Sequence, residues 1–230
     1  MTKGYIFDYG GTLDTGGCHW GKMLWHAYQR AGVPVTEAQF REAYVFVERL
    51  LAKTPIVKPD TTFKQLLSIK VQLELTFLAS KSIIQQCYIN SWLFPMVDDL
   101  YSLTQAHTAH SREVLQQLKE RCPLVLVSNF YGNIETVLRE YCLDGLFTHV
   151  VESAVVGVRK PNPQIFTLGV EALGLKPEEV TVVGDSMDKD IIPAHQAGCQ
   201  TVWIRGEQWT DDPVDEAQAD RVVNDLNELI

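Results

Sequence analysis

The sequence predicts an α/β protein: a doubly wound parallel sheet, interrupted near its start by an all-helical insert. Three observations carry this. Short, continuous apolar runs at residues 5–8, 124–127, 180–183 and 201–204 have the length and character of buried parallel strands. Helical spacings alternate with them after residue 111, as a sheet covered on both faces requires. Between residues 16 and 109 strand signals are scarce and helical spacing dominates.

Taken in order, residues 5–8 form a strand closed by a carboxylate, with the Gly-rich turn Tyr9-Gly10-Gly11-Thr12 directly after it. Leu24, Tyr28 and Ala31 mark one helix of the insert; Phe40, Tyr44, Val47, Leu50 and Leu51 mark another. Residues 62–94 are apolar, poor in Gly and Pro, and read as helical. Residues 112–121 form a helix stopped by Pro123, before the strand at 124–127. Helix 134–141, a weak strand at 149–151 and helix 163–173 follow, the last with Gly174 as its C-cap. The strand at 180–183 leads to helix 191–197, stopped by Gly198, and to the strand at 201–204. The acidic tail, 211–230, ends in a short helix. The core is therefore discontinuous, residues 1–15 plus 110–230, and the helical insert is residues 16–109.

A chain of 230 residues accommodates a core domain and an insert of this size. Apolar residues make up 46% and charged residues 21%, an ordinary globular balance. The formal net charge of −9 disfavours nucleic acid and anionic membrane as partners. It also gives no long-range attraction for a phosphorylated ligand, so a phosphate site has to be built locally. No run approaches the roughly 20 apolar residues that span a bilayer, and the start of the chain lacks the apolar stretch of a signal peptide. The five cysteines (Cys18, Cys87, Cys122, Cys142, Cys199) are odd in number and form no C-x-x-C pair, which reads as packed, reduced thiols. These features indicate a soluble, cytoplasmic protein. Oligomeric state is not written in the sequence.

Polar residues sit just past the ends of several strands, the edge where open α/β sheets bind ligands. Asp8 ends the first strand, Ser128 and Asn129 the second, and Gly184 and Asp185 the strand at 180–183; Lys160 lies in the loop before that strand. These residues resemble the haloacid dehalogenase-like hydrolase superfamily. The first motif of that superfamily is matched by Phe7-Asp8-Tyr9-Gly10-Gly11-Thr12-Leu13, and the second by Val127-Ser128-Asn129. The third is matched by Lys160 in Arg159-Lys160-Pro161-Asn162-Pro163, and the fourth by Gly184-Asp185-Ser186-Met187-Asp188-Lys189-Asp190. All four stand in register, and the insert falls where one subfamily places a helical cap.

The resemblance implies a Rossmann-like core and a Mg²⁺-dependent phosphatase acting on a small phosphorylated metabolite. Asp8 would attack phosphorus and form an aspartyl-phosphate; a carboxylate is already ionised at neutral pH and needs no base. The Asp8 carboxylate, the Gly10 carbonyl and Asp185 would bind Mg²⁺, with Asp190 as a further or water-mediated partner. Ser128 and the Asn129 N–H would bind phosphoryl oxygens, and Gly11 and Thr12 are expected to assist. Lys160 would orient Asp8 and neutralise developing charge.

One position departs from the family pattern. Gly10 stands where phosphatases of this type carry a second Asp, the general acid and base. Asp14 could replace it, although a turn cap is the more ordinary role for Asp14. His19 and His26 read as surface or core histidines. Dehalogenases and phosphonate hydrolases also lack the second Asp. The retained Asp185 and Asp190 favour phosphorus chemistry, and Lys53, Lys58, Lys64, Lys70 and Lys81 of the insert read as solvated lysines rather than an imine-forming amine. A binding protein of low turnover is the remaining alternative. Trp20, Trp25 and Trp92 read as core, and His107 and His110 lack a third partner for a metal.

Overall fold

The computed structural model describes residues 2–230. Strand β1, Gly4–Phe7, opens the chain and feeds a loop that enters the insert. Helices α1 (Trp20–Arg30), α2 (Glu37–Lys53) and α3 (Phe63–Ser80) follow. Thr36 and Thr62 begin α2 and α3 with reciprocal capping boxes, closed by Gln39 and Gln65. The helical stretch expected over 62–94 is broken after Ser80: Ser82 takes a φ of 59°, and helix α4 (Ile89–Lys119) begins a new direction. With 31 residues, α4 is about 46 Å long. The boundary expected at 109/110 falls inside this continuous helix, so α4 serves both bodies. Its Ser111 hydroxyl donates to the Leu13 carbonyl at 2.7 Å, pinning it to the loop after β1.

The core continues with β2 (Leu124–Ser128), α5 (Ile134–Glu140), β3 (His149–Glu152), the short α6 (Ser153–Val156) and α7 (Gln164–Leu173). Gly174 ends α7 with a φ of 65°. Then come β4 (Val180–Gly184), one wide turn at Met187–Ile191, α8 (Ile192–Gln196), β5 (Gln200–Ile204) and β6 (Arg221–Val223). The six strands are parallel, in the order β3-β2-β1-β4-β5-β6. The chain winds outward from β1 first on one side and then on the other, so the crevice at the carboxyl ends of β1 and β4 is the topological switch point. β6 is a strand the sequence reading did not include.

Both faces of the sheet are covered. Ile6, Val125, Val127 and Val182 pack against α7 through Phe166 and Val170. Phe7, Leu124, Leu126 and Val183 face α4 and merge with the apolar interior of the insert. Among the described residues no helix is long and apolar enough to cross a membrane. All five thiols are free, but only Cys199 is fully packed; Cys87 and Cys142 are exposed.

One interior group of the insert is costly. Glu74 of α3 is fully buried, and neither of its carboxyl oxygens has a hydrogen-bond partner. Burial pushes its pKa up to about 8; Lys70 one turn earlier pulls against the rise, Glu48 adds to it, and the neighbouring Tyr28 hydroxyl pulls weakly against it. Folding therefore takes up a proton between the unfolded carboxylate range near pH 4.5 and about pH 8. Stability should fall as pH rises through that window and level off above it. Glu74→Gln removes this contribution: equal to wild type near pH 4.5, it should gain on the order of a few kcal/mol by pH 8.5. Denaturant melts of both proteins across this range check it; parallel curves would refute it.

Candidate active site

Asp8 follows β1 directly, and its backbone N–H donates to the Val183 carbonyl at 3.0 Å, which fixes it at the switch point. Asp185 follows β4 and is anchored by the Trp203 indole N–H, which donates to its carbonyl at 2.7 Å. Lys160 enters from the loop before α7. The Asn129 side chain grips the backbone of Lys160 on both sides: its Oδ1 accepts from the Lys160 N–H at 2.9 Å, and its Nδ2 donates to the Lys160 carbonyl at 3.1 Å. The Lys160 ammonium then donates to Asp8 Oδ1 at 2.5 Å and to Asp190 Oδ1 at 2.7 Å. Asp190 reaches it because Gly184 leaves room; a Cβ on Gly184 would lie 2.4 Å from the Asp190 Cβ.

Asp8, Asp185 and Asp190 are all buried, and a carboxylate oxygen of each lies within 4.8 Å of the others. Among the described residues this is the one cluster of three such groups. Burial pushes the Asp8 carboxyl up to about 6; Lys160 pulls against the rise and Asp190 adds to it. Asp185 is raised well above the carboxylate range, by burial first and then by Asp190 and Asp8. For Lys160, burial works against the charge, but Asp190 and Asp8 outweigh it and hold the ammonium protonated. Three acids thus share one cation in a water-poor site. That surplus of negative charge on hard oxygen donors fits a divalent metal ion.

A cavity of about 210 Å³ opens above these groups. Of the residues expected in the site, Asp8, Gly10, Ser128, Asn129, Lys160, Asp185 and Asp190 line it. Gly11 and Thr12 do not; they stand behind the carboxylates. Thr12 is fully buried, its hydroxyl 3.1 Å from Asp185 Oδ1 and 3.4 Å from Asp8 Oδ2. The Gly11 N–H donates to Asp14 Oδ1, and a Cβ on Gly11 would strike the Asp185 carboxylate at 2.3 Å. Its φ of 104° also favours glycine.

The replacements considered for the acid missing at Gly10 are differently employed. Asp14 accepts from the Gly11 N–H at 2.7 Å and from the Trp20 indole N–H at 2.9 Å, the turn-capping role. Burial raises its pKa to about 7, yet it does not line the cavity. His19 lines the cavity but caps α1 by accepting from the Gly21 N–H; burial, then Lys189, lowers its pKa to about 3, so the ring is neutral. His26 lies outside, paired with Glu207 at 2.7 Å.

The opposite wall of the cavity belongs largely to the insert, and the sequence reading missed most of it. Trp20, read as core, lines the cavity, with Tyr44, Glu48, Phe63 and Lys70. Lys70 is not a solvated lysine: it is 7% exposed and pairs with Glu48 Oε1 at 2.6 Å, while the Tyr131 hydroxyl donates to Glu48 Oε2 at 2.8 Å. A signal was available. Lys70 falls in helical register with Phe63, Leu66, Leu67 and Val71, on the face that packs inward.

A family model described as haloacid dehalogenase-like hydrolase matches residues 2–198. A stretch of 81 residues is 46% identical to a glyceraldehyde 3-phosphate phosphatase of Methanopyrus kandleri, covering 33% of this chain and 35% of that protein. A stretch of 83 residues is 40% identical to a phosphoserine phosphatase of Thermus thermophilus, covering 36% and 32%. The matched region spans about a third of the length of these curated relatives. The crystal structure of a HAD phosphatase from Thermococcus onnurineus is similar with a TM-score of 0.55, over 99% of this chain and 96% of that one. At 22% identity that likeness is one of fold.

Proposed function

Since this chain belongs to the haloacid dehalogenase-like hydrolase family, we propose that it is a Mg²⁺-dependent phosphatase working on a small phosphorylated metabolite through an aspartyl-phosphate on Asp8. The observation that carries this reading is the Asp8 carboxylate, held by Lys160 beside Asp185 and Asp190 at the floor of the cavity. The matched relatives are named for phosphatase activity. The Asp8, Asp185 and Asp190 carboxylates and the Gly10 carbonyl would hold Mg²⁺, which supplies charge neutralisation for a phosphoryl group arriving beside an anionic nucleophile. Lys160 points one Asp8 oxygen and shares the negative charge. Ser128 and the Asn129 backbone, at the carboxyl end of β2, hold phosphoryl oxygens. The exposed thiols of Cys87 and Cys142 suit a reducing compartment, the cytoplasm.

The donor set distinguishes this reading from its neighbours. A metal-free dehalogenase has no use for three converging carboxylates. A phosphonate hydrolase needs a neutral amine in the insert, whereas Glu48 outweighs burial at Lys70 and holds it well above the usual lysine range. The test is phosphate release from a panel of esters and acyl phosphates, with Mg²⁺ or with chelator. Metal-independent halide release, or no release from any substrate, would overturn the proposal.

Gly10 sets the expected selectivity. A general acid and base is worth about 10²–10⁴-fold, or some 3–5 kcal/mol of barrier. Its loss hurts least where the leaving group departs without a proton. The backbone at Gly10 does not need glycine: a Cβ there would lie 3.6 Å from Trp20 Cδ1, an ordinary contact. Gly10→Asp should therefore fold and should accelerate release from poor leaving groups by roughly 10–100-fold. A folded, metal-binding variant that is slower on those esters would refute this account of Gly10.

A further inference from the structure

We infer that the substrate is a small sugar phosphorylated at its anomeric oxygen, recognised by the Glu48–Lys70 pair on the insert side of the cavity. The inference rests on the phosphatase reading above and narrows its substrate class.

Three observations converge. The first is the paired acceptor and donor on the distal wall. Glu48 and Lys70 form an ion pair of 2.6 Å, and the cavity exposes both. Burial opposes the charge on each, but each outweighs it for the other: Glu48 lies below the ordinary carboxylate range and Lys70 well above the lysine range. Arg159 and Lys189 line the same cavity from the core side, so charge alone does not exclude an anionic tail. What the pair offers is an acceptor and a donor side by side, the pattern that adjacent hydroxyls of a sugar match. One hydroxyl can donate to a free lone pair of Glu48 while its neighbour accepts from a remaining Lys70 N–H.

The second observation is the aromatic side of the same cavity. Trp20 and Phe63, with ring centroids 5.5 Å apart, and Tyr44 and Phe130 line it. Ring faces suit the apolar C–H face of a sugar while the charged pair takes its hydroxyl edge. The volume, about 210 Å³, lies below the range of about 300–1,000 Å³ typical of drug-sized sites, and selects a small molecule.

The third is the missing proton donor. Gly10 carries no acid, His19 is neutral, and Asp14 is tied up behind the wall. The leaving oxygen must depart with little help, which favours an oxygen less basic than an ordinary alkoxide. An anomeric oxygen is one, because the ring oxygen withdraws electrons from the same carbon. An Asp8 oxygen attacks phosphorus, the bond from phosphorus to the anomeric oxygen breaks, and the electron pair leaves on that oxygen, which takes a proton from water and leaves hydroxide. Hydroxide then attacks phosphorus, the bond from phosphorus to the Asp8 oxygen breaks, and the carboxylate is regenerated. The products are the free sugar and inorganic phosphate, with one water consumed.

The experiment compares four compounds with the Mg²⁺-loaded wild type: an aldose 1-phosphate, the 6-phosphate of the same sugar, a phosphate ester of a hydroxy acid, and acetyl phosphate. The 1-phosphate should exceed the 6-phosphate and the hydroxy-acid ester in kcat/KM by at least ~10-fold. In Glu48→Leu/Lys70→Met, which removes both charges and strands neither, the preference for the 1-phosphate over acetyl phosphate should fall by at least ~10-fold. Equal or better turnover of either comparison ester overturns the inference, as does an unchanged preference in the folded double variant. If that variant does not fold, the wild-type ratios decide alone. Asp8-dependent hydrolysis of acetyl phosphate with these failures leaves the phosphatase reading intact. No Asp8-dependent release from any of the four overturns both.

Discussion

Asp8→Asn should release phosphate at least ~10⁴-fold more slowly than wild type on every substrate, and should melt at the same temperature or higher. The first half follows from chemistry: an amide of the same shape is not a nucleophile toward phosphorus. The second half follows from the charge balance of the site. Asp8, Asp185 and Asp190 share one ammonium, and the Asp8 carboxyl is pushed up to about 6 by its burial, against the pull of Lys160. Neutralising one of three crowded acids relieves repulsion, and the remaining Lys160–Asp190 contact of 2.7 Å keeps the lysine paired. Loss of activity with retained stability separates a lost nucleophile from a lost fold. Wild-type protein quenched in acid during turnover should carry covalent phosphate, and Asp8→Asn should carry none. Because Gly10 offers no base to activate the hydrolytic water, the wild-type adduct should make up a large fraction of the enzyme at saturation. A variant within ~10-fold of wild type would remove Asp8 from the chemistry.

The parts of this site that are legible in the sequence are those the backbone alone positions. Asp8, Ser128 and Asp185 each end an apolar run, and a parallel sheet brings such ends to one edge whatever surrounds them. Asp190 follows Asp185 within one short motif, and Lys160 stands in its own motif in the loop before α7. The insert wall is different. Glu48 and Lys70 are 22 residues apart on two helices, and their meeting depends on how those helices pack, which single-helix periodicity does not encode. A charged residue inside an apolar stripe, as Lys70 is, signals only that a partner exists. The same limit explains the helix and strand bounds that the structure draws differently. Nothing local distinguishes a helix that ends at a domain border from α4, which runs through it, and β6 is three residues at a sheet edge. Gly11 and Thr12 sit in the right loop, but their orientation comes from a contact within the loop to Asp14 and from Asp185, which the loop meets only after folding.

Lys160→Met should cost about 3–5 kcal/mol in metal-free protein and lower turnover by about 10²–10³-fold. The stability loss is large because Lys160 is 4% exposed and is the ammonium that donates to both Asp8 and Asp190. Without it three buried carboxylates face one another with Thr12 as their remaining hydroxyl neighbour. The direction of the Mg²⁺ response is the sharper test. A ligand that binds only the folded state stabilises it by RT ln(1 + [L]/Kd), and removing a competing cation deepens the negative potential the ion meets. Added Mg²⁺ should therefore raise the melting temperature of Lys160→Met more than that of wild type, recovering part of the lost stability while turnover stays low. Asp185→Asn should show the opposite pattern, little change in metal-free stability and a much smaller response to Mg²⁺, because its carboxyl is raised by burial and by the neighbouring acids and is not held by the lysine. A Mg²⁺ shift equal in all three proteins would place the ion elsewhere. A shift that is absent in wild type but present in Lys160→Met would mean that the lysine itself supplies the countercharge, and that the carboxylate cluster of the native enzyme works without a metal.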